Sequence, residues 1–116
     1  MTLTTTRLDY AAARKAMLDS QLRTSGVNDV FVLERMGTVA REDFVPQAAK
    51  ATAYMDRAIR LESGGFLPAP LFHGAMLAEA RPTMDDSVLV IDGGSGYLPA
   101  LVEPLVAKLD TVTPDK

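Results

Sequence analysis

The residues whose types and spacing could do chemistry lie in one run, Val88-Leu89-Val90-Ile91-Asp92-Gly93-Gly94-Ser95-Gly96-Tyr97. The apolar residues at its start read as a buried strand, Asp92 to Gly96 as a glycine-rich turn, and Tyr97 onward as an apolar helix. Glycine lets a backbone approach a ligand closely, and the first N–H groups of a helix point at whatever polar atoms lie before them. This order of elements therefore builds a nucleotide-type pocket. It is neither a dinucleotide fingerprint nor a phosphate loop, since Pro99 stands at the third-glycine position and no lysine follows. The same run also serves as a tight strand-to-helix turn with no ligand.

Composition removes other chemistries. There is no cysteine, hence no disulfide, thiolate metal site or cysteine nucleophile, and the single histidine, His73, excludes a multi-histidine metal site. A lone histidine on a helix reads as a packed or surface side chain rather than a ligand. A chain of 116 residues with 47% hydrophobic content buries one core. The opening Met1 to Arg7 has no apolar centre, and no window approaches the roughly 18 apolar residues of a membrane span. The expectation is a soluble cytoplasmic protein with no membrane partner. Residues 1–60 carry nine Lys/Arg against seven Asp/Glu, whereas residues 61–116 carry three against eight. An acidic glycine-loop half is a poor surface for a phosphate backbone, so nucleic acid is not expected as a partner.

The elements that must hold the glycine run follow from periodicity and breakers. Leu8 to Arg23 reads as a helix stopped by Ser25-Gly26. A second helix follows, with Asn28 as N-cap and Val32, Leu33 and Met36 on one face before Gly37 weakens it. Arg41 to Pro46 is a break, and Gln47 to Tyr54 a short third helix. Ile59-Arg60-Leu61 alternates like a strand, but Ser63-Gly64-Gly65 and Pro68-Ala69-Pro70 make residues 57–70 a loop. A helix from Leu71 to Ala80 carries His73, with Pro70 acceptable in its first turn. After the strand Ser87 to Ile91 and the glycine turn, an apolar helix is expected from Tyr97 to about Leu109, bent where Pro104 deletes the bond to the Ala100 carbonyl. Asp110 to Lys116 leaves room for only the beginning of a second strand.

Several of these segments together carry a resemblance. Met17-Leu18-Asp19-Ser20-Gln21-Leu22-Arg23, Val32-Leu33-Glu34-Arg35-Met36, Arg41-Glu42-Asp43-Phe44-Val45-Pro46 and Ala53-Tyr54-Met55-Asp56 occur in that order, followed by Gly64 to Pro70 and the glycine loop. In this they resemble the N-terminal half of bacterial protein-L-isoaspartate O-methyltransferases, from about residue 12 and without a gap. The resemblance implies an α/β class I S-adenosylmethionine methyltransferase with a doubly wound, mostly parallel, Rossmann-like sheet, truncated here and mostly helical. It divides the chain into a helical N-terminal region (1–56), a substrate-loop segment (57–70) and the start of the cofactor-binding domain (71–116). The implied reaction is methyl transfer to the α-carboxyl of L-isoaspartyl residues in damaged proteins, which would be its partners. The implied cofactor-binding residues are Asp92, Gly93, Gly94, Ser95, Gly96 and Tyr97, and the implied substrate-loop residues Gly64, Gly65, Phe66, Leu67 and Pro70. Such chemistry needs little acid or base, because a carboxylate is already a nucleophile at neutral pH.

The departures from the family are specific. Where it usually reads Gly-Gln-Thr-Ile-Ser-Gln-Pro, with the serine at the active site, this chain has Gly64-Gly65-Phe66-Leu67-Pro68-Ala69-Pro70. Phe66, Pro68 and Ala69 thus replace hydrogen-bonding side chains, and no catalytic residue is assigned. Where it usually reads Glu-Ile-Gly-Thr-Gly-Ser-Gly-Tyr, Val90 replaces the acidic residue and Asp92 the first glycine. Asp92 would either repel the cofactor carboxylate or bond its ammonium. The acidic residue that the family uses for the ribose falls near Pro114 or Asp115. One strand and the start of another cannot cover both sheet faces. The expectation is a fragment of a longer protein, or a lone strand that pairs with another chain, and therefore self-association. The alternative to the enzyme is a catalytically degenerate, non-enzymatic interaction or dimerisation module.

Overall fold

The computed structural model describes residues 9–113. The first helix, α1 (Tyr10–Met17), starts where the Asp9 carboxylate accepts the Ala12 N–H at 3.0 Å, an N-cap. The expected start at Leu8 lies outside the described residues. The chain stays helical but widens to a π-turn over Leu18–Leu22 and tightens to a 3₁₀ turn over Arg23–Ser25. Here the hydroxyls of Ser20 and Thr24 donate to the carbonyls of Ala16 and Ser20, at 2.6 and 2.5 Å, competing with the regular helical bonds. Gly26, at φ 89°, closes the element as its sequence position implied.

Helix α2 (Val30–Thr38) buries Val32, Leu33 and Met36, the face that the spacing predicted. Its N-cap is Asp29, not Asn28, and Asp29 makes no cap bond; its carboxylate instead pairs with Arg81 at 3.0 Å. Gly37 lies inside the last turn without ending it. Beyond it, Arg41–Phe44 and Gln47–Thr52 are 3₁₀ turns on either side of extended Val45, whose conformation Pro46 imposes. The expected third helix to Tyr54 is thus a shorter 3₁₀ run ending at Thr52.

Residues 57–70 are more ordered than their chemistry suggested. β1 (Ile59–Arg60) and β2 (Phe66–Leu67) pair antiparallel, Ile59 opposite Leu67 and Arg60 opposite Phe66. The turn between them passes through Gly64 at φ 98°, and the Leu61 N–H donates to the Gly65 carbonyl at 2.8 Å. The ladder is only two pairs long, and burial of Leu67 and Ile59 anchors it. Helix α3 (Pro70–Ala80) follows with Pro70 in its first turn.

The glycine run joins β3 (Ser87–Ile91) to α4 (Tyr97–Val102), and β4 (Lys108–Val112) then pairs parallel with β3 from Ser87 opposite Lys108 to Ile91 opposite Val112. Three expectations change here. The α4 helix stops at Val102, passes through a 3₁₀ turn over Glu103–Leu105, and is extended by Val106, so no helix reaches Leu109. Pro104 ends the helix rather than bending it: it cannot donate to Ala100, and Arg35 of α2 donates to the freed carbonyls of Ala100 and Leu101 at 3.0 and 3.1 Å. The second strand is complete at five residues, and β3 is not alone but has its partner within the chain.

The architecture is therefore a mixed one, a helical layer with two two-stranded sheets. Met17, Leu22, Val32, Met36, Leu67, Tyr97 and Leu101 form the centre of one core shared by the helices and both sheets. Among the described residues no helix is long and apolar enough to cross a membrane.

Candidate functional site

The glycine loop starts where the parallel ladder ends. The Asp92 N–H donates to the Val112 carbonyl at 2.9 Å, which fixes its backbone at the C-terminal end of β3. Its carboxylate then turns back into the loop, one oxygen accepting from the N–H groups of Gly94 at 3.0 Å and Gly96 at 2.8 Å. Asp92 is only 7% exposed. Gly94 and Gly96 adopt φ of 113° and 81°, conformations that L side chains rarely reach, so their glycines are required. The Ser95 hydroxyl accepts the next N–H, that of Tyr97, at 3.1 Å. Three loop N–H groups that could meet a ligand are thus already bonded to side chains of the loop itself.

The substrate-loop segment packs directly on this loop. A Cβ placed on Gly65 would lie 2.5 Å from the Gly93 carbonyl oxygen, and one on Gly93 would lie 2.8 Å from the Phe66 carbonyl oxygen. Only glycine at both positions allows the two backbones to meet so closely. The contact leaves a cleft of about 300 Å³ bordered by Phe66, Pro68, Phe72, His73, Asp92 and Gly93. Gly94 and Ser95 face a second cleft, of about 400 Å³, whose charged residues are Asp43 and Glu62. The remaining singled-out residues do not reach either space: the side chains of Leu67, Pro70 and Tyr97 are in the core, and Gly64 is at the hairpin turn.

Behind the loop stands a cluster of which sequence reasoning singled out only Tyr97 for chemistry. Arg41 is 0% exposed, with Nε donating to the Ala53 carbonyl at 2.5 Å and Nη2 to the Pro68 carbonyl at 2.9 Å. Its guanidinium carbon lies 5.2 Å from the centre of the Tyr97 ring, which also meets the rings of Phe44 and His73 edge-on at 5.6 and 5.5 Å. Arg41 Nη1, Tyr97 Oη and His73 Nδ1 are buried without a hydrogen-bond partner. Burial pushes the Arg41 pKa down and the Tyr97 pKa up. Burial, aided by the nearby Arg41 charge, lowers that of His73 to about 4. His73 is therefore neutral at neutral pH, a packed side chain as its setting implied. Next to Arg41 in the chain, Glu42 accepts from the Tyr54 hydroxyl at 2.5 Å and pairs with Arg14 at 3.2 Å. Burial and the bond to Glu42 push the Tyr54 pKa up to about 12. The only sequence signal for this cluster was the joint presence of the Arg41-Glu42 and Ala53-Tyr54 segments.

These residues do not fit the carboxylate of S-adenosylmethionine. An anion at the loop needs free N–H donors or a cation, yet Asp92 and Ser95 hold three of the donors, and Asp92 adds negative charge. Neither cleft beside the loop is bordered by a lysine or arginine.

Comparison with known proteins places the whole arrangement. The family profile of protein-L-isoaspartate(D-aspartate) O-methyltransferase matches residues 12–113. The chain is 35% identical over 112 residues to the protein-L-isoaspartate O-methyltransferase of Desulfosudis oleivorans, covering 97% of this chain and 51% of that protein. It is 37% identical over 99 residues to that of Herpetosiphon aurantiacus, covering 85% and 44%. With the corresponding protein of Roseiflexus sp. (strain RS-1) the identity is 34% over 105 residues, covering 90% and 48%. The chain spans about half the length of the curated relatives it matches. A match that spans the helical segments, the hairpin and the glycine loop establishes that the chain belongs to the protein-L-isoaspartate (D-aspartate) O-methyltransferase family.

Proposed function

We propose that the activity to which this chain belongs is methyl transfer from S-adenosylmethionine to the carboxyl group of isoaspartyl residues in damaged proteins, on a Rossmann-like sheet of which β3, α4 and β4 are the first unit. The observation that carries this reading is the contact of Gly65 and Phe66 with Gly93: the two loops that the family uses for substrate and cofactor share one cleft. Within it, the residues present shape the space. Phe66 and Phe72 give it apolar walls, Pro68 removes a hydroxyl, and neutral His73 adds no charge. No proton transfer is asked of them, since the accepting carboxylate is ionised at neutral pH and needs only to be held in line.

A second reading is favoured by Asp92 and Pro68. With three loop donors filled and the serine position taken by proline, the chain is a non-catalytic interaction module that keeps the packing and lacks the chemistry. The two readings are separated by grafting. Residues 12–113 replace the matched segment of the Desulfosudis oleivorans relative, with and without Pro68→Ser and Asp92→Gly, and transfer of labelled methyl to an isoaspartyl peptide is measured. The activity reading expects transfer by the doubly restored graft and none by the 116-residue chain alone. No transfer by the restored graft would leave the interaction module as the better description.

A further inference from the structure

We infer that the glycine loop of this chain selects an adenosyl thioether or sulfonium that carries an amine but no carboxylate, in preference to the amino-acid form. The inference rests on the reading of the loop as a donor site and concerns which form of the donor it admits.

The Asp92 carboxylate sits where a ligand carboxylate would find its donors, and one of its oxygens already accepts the N–H groups of Gly94 and Gly96. A second carboxylate would meet bonded donors and a like charge, which in a partly buried site is a repulsion that solvent does not cancel. The surroundings give no relief. The cleft on one side holds Asp92 as its only charged residue, and the cleft on the other holds Asp43 and Glu62. The Arg41 guanidinium is fully buried, tied to the Ala53 and Pro68 carbonyls, and borders neither cleft.

The same features suit a cation with an apolar body. Asp92 borders the smaller cleft and supplies a fixed counter-charge. His73, 3% exposed and bordering the same cleft, has an Nδ1 without a partner. Phe66 and Phe72 are more than half exposed at the cleft and can meet an ammonium or sulfonium group with their ring faces. In the amino-acid form the ligand's own carboxylate cancels this attraction; in the amine no ligand carboxylate does.

The test is calorimetric titration of the 116-residue chain with S-adenosylhomocysteine and with its decarboxylated analogue, the aminopropyl thioether of adenosine. The analogue is expected to bind at least roughly tenfold more tightly, the size of one partly solvated charge interaction. Asp92→Asn keeps the shape of the loop and removes the charge, and should shrink the preference. Asp92→Gly restores free donors as well, and should reverse it. Equal or tighter binding of S-adenosylhomocysteine by the unaltered chain overturns the inference, and so does failure of both ligands to bind. A preference that survives both substitutions overturns it too, because it would then not come from Asp92. The grafted enzyme tests the methyl-transfer reading separately, so failure of one does not imply failure of the other.

Discussion

At the scale of single residues, His73 shows how burial converts an ionisable group into a liability in acid. Its folded pKa of about 4 lies below the 6.5 of a free imidazole, because burial and the Arg41 charge disfavour the imidazolium. The unfolded chain therefore binds this proton first. The stability held by neutral His73 is complete above pH 6.5 and is lost as pH falls through 4, by up to about 3 kcal/mol. Denaturant unfolding followed across that window should show the loss in the unaltered chain. His73→Phe, which keeps the ring among Phe72 and Tyr97, should flatten it. Equal slopes for the two would show that the imidazole is not held neutral by the fold.

At the scale of elements, the end of α4 depends on a side chain from another helix. Pro104 leaves the Ala100 carbonyl without its helical donor, and Arg35 bonds it together with the Leu101 carbonyl. Arg35→Met keeps most of the apolar stem and removes both bonds, and should cost about 1–3 kcal/mol. Combined with Pro104→Ala, which returns an N–H to position 104, the Arg35 substitution should cost clearly less, since the backbone then serves Ala100 itself. A double-mutant cycle by chemical denaturation measures the difference. Strict additivity would mean that the proline and the arginine are not coupled.

At the scale of the whole molecule, the two-stranded sheet has one covered face and one bare face. Val90 is buried, while its neighbours Leu89 and Ile91, alternating with it along the strand, are 61% and 72% exposed, Ile91 in register with half-exposed Val112. Bare apolar strands of this kind recruit another surface. We expect the purified chain to associate with itself through this face and the outer edge of β3, giving a mass above one chain in light scattering at micromolar concentration. Leu89→Lys with Ile91→Lys should return it to a monomer without loss of helical signal. A monomeric unaltered chain would show that the face tolerates water.

What the sequence determined by itself was local or cumulative. The order of strand, glycine turn and helix, the buried face of α2, the proline at the start of α3 and the family followed from residue type and spacing, because glycine, proline and a helical repeat act over a few neighbours. The position at which the resemblance expects a ribose-binding acidic residue, near Pro114 or Asp115, lies outside the described residues. What only the tertiary structure decided were partnerships between distant segments. β4 contains Lys108, Asp110 and Thr111 and reads poorly as a strand, yet it is extended over five residues because β3 offers it a ladder. The hairpin was read as a loop because its pairing depends on Leu67 and Ile59 entering a core built by the helices. Arg41 carries no local sign of full burial, which arises only when Ala53, Pro68 and Tyr97 close around it. The bonding of the Asp92 carboxylate to its own loop is likewise tertiary in origin. Two backbone N–H groups within four residues reach the carboxylate once Gly94 and Gly96 take left-handed conformations, and a string of residue types does not specify that fold of the chain.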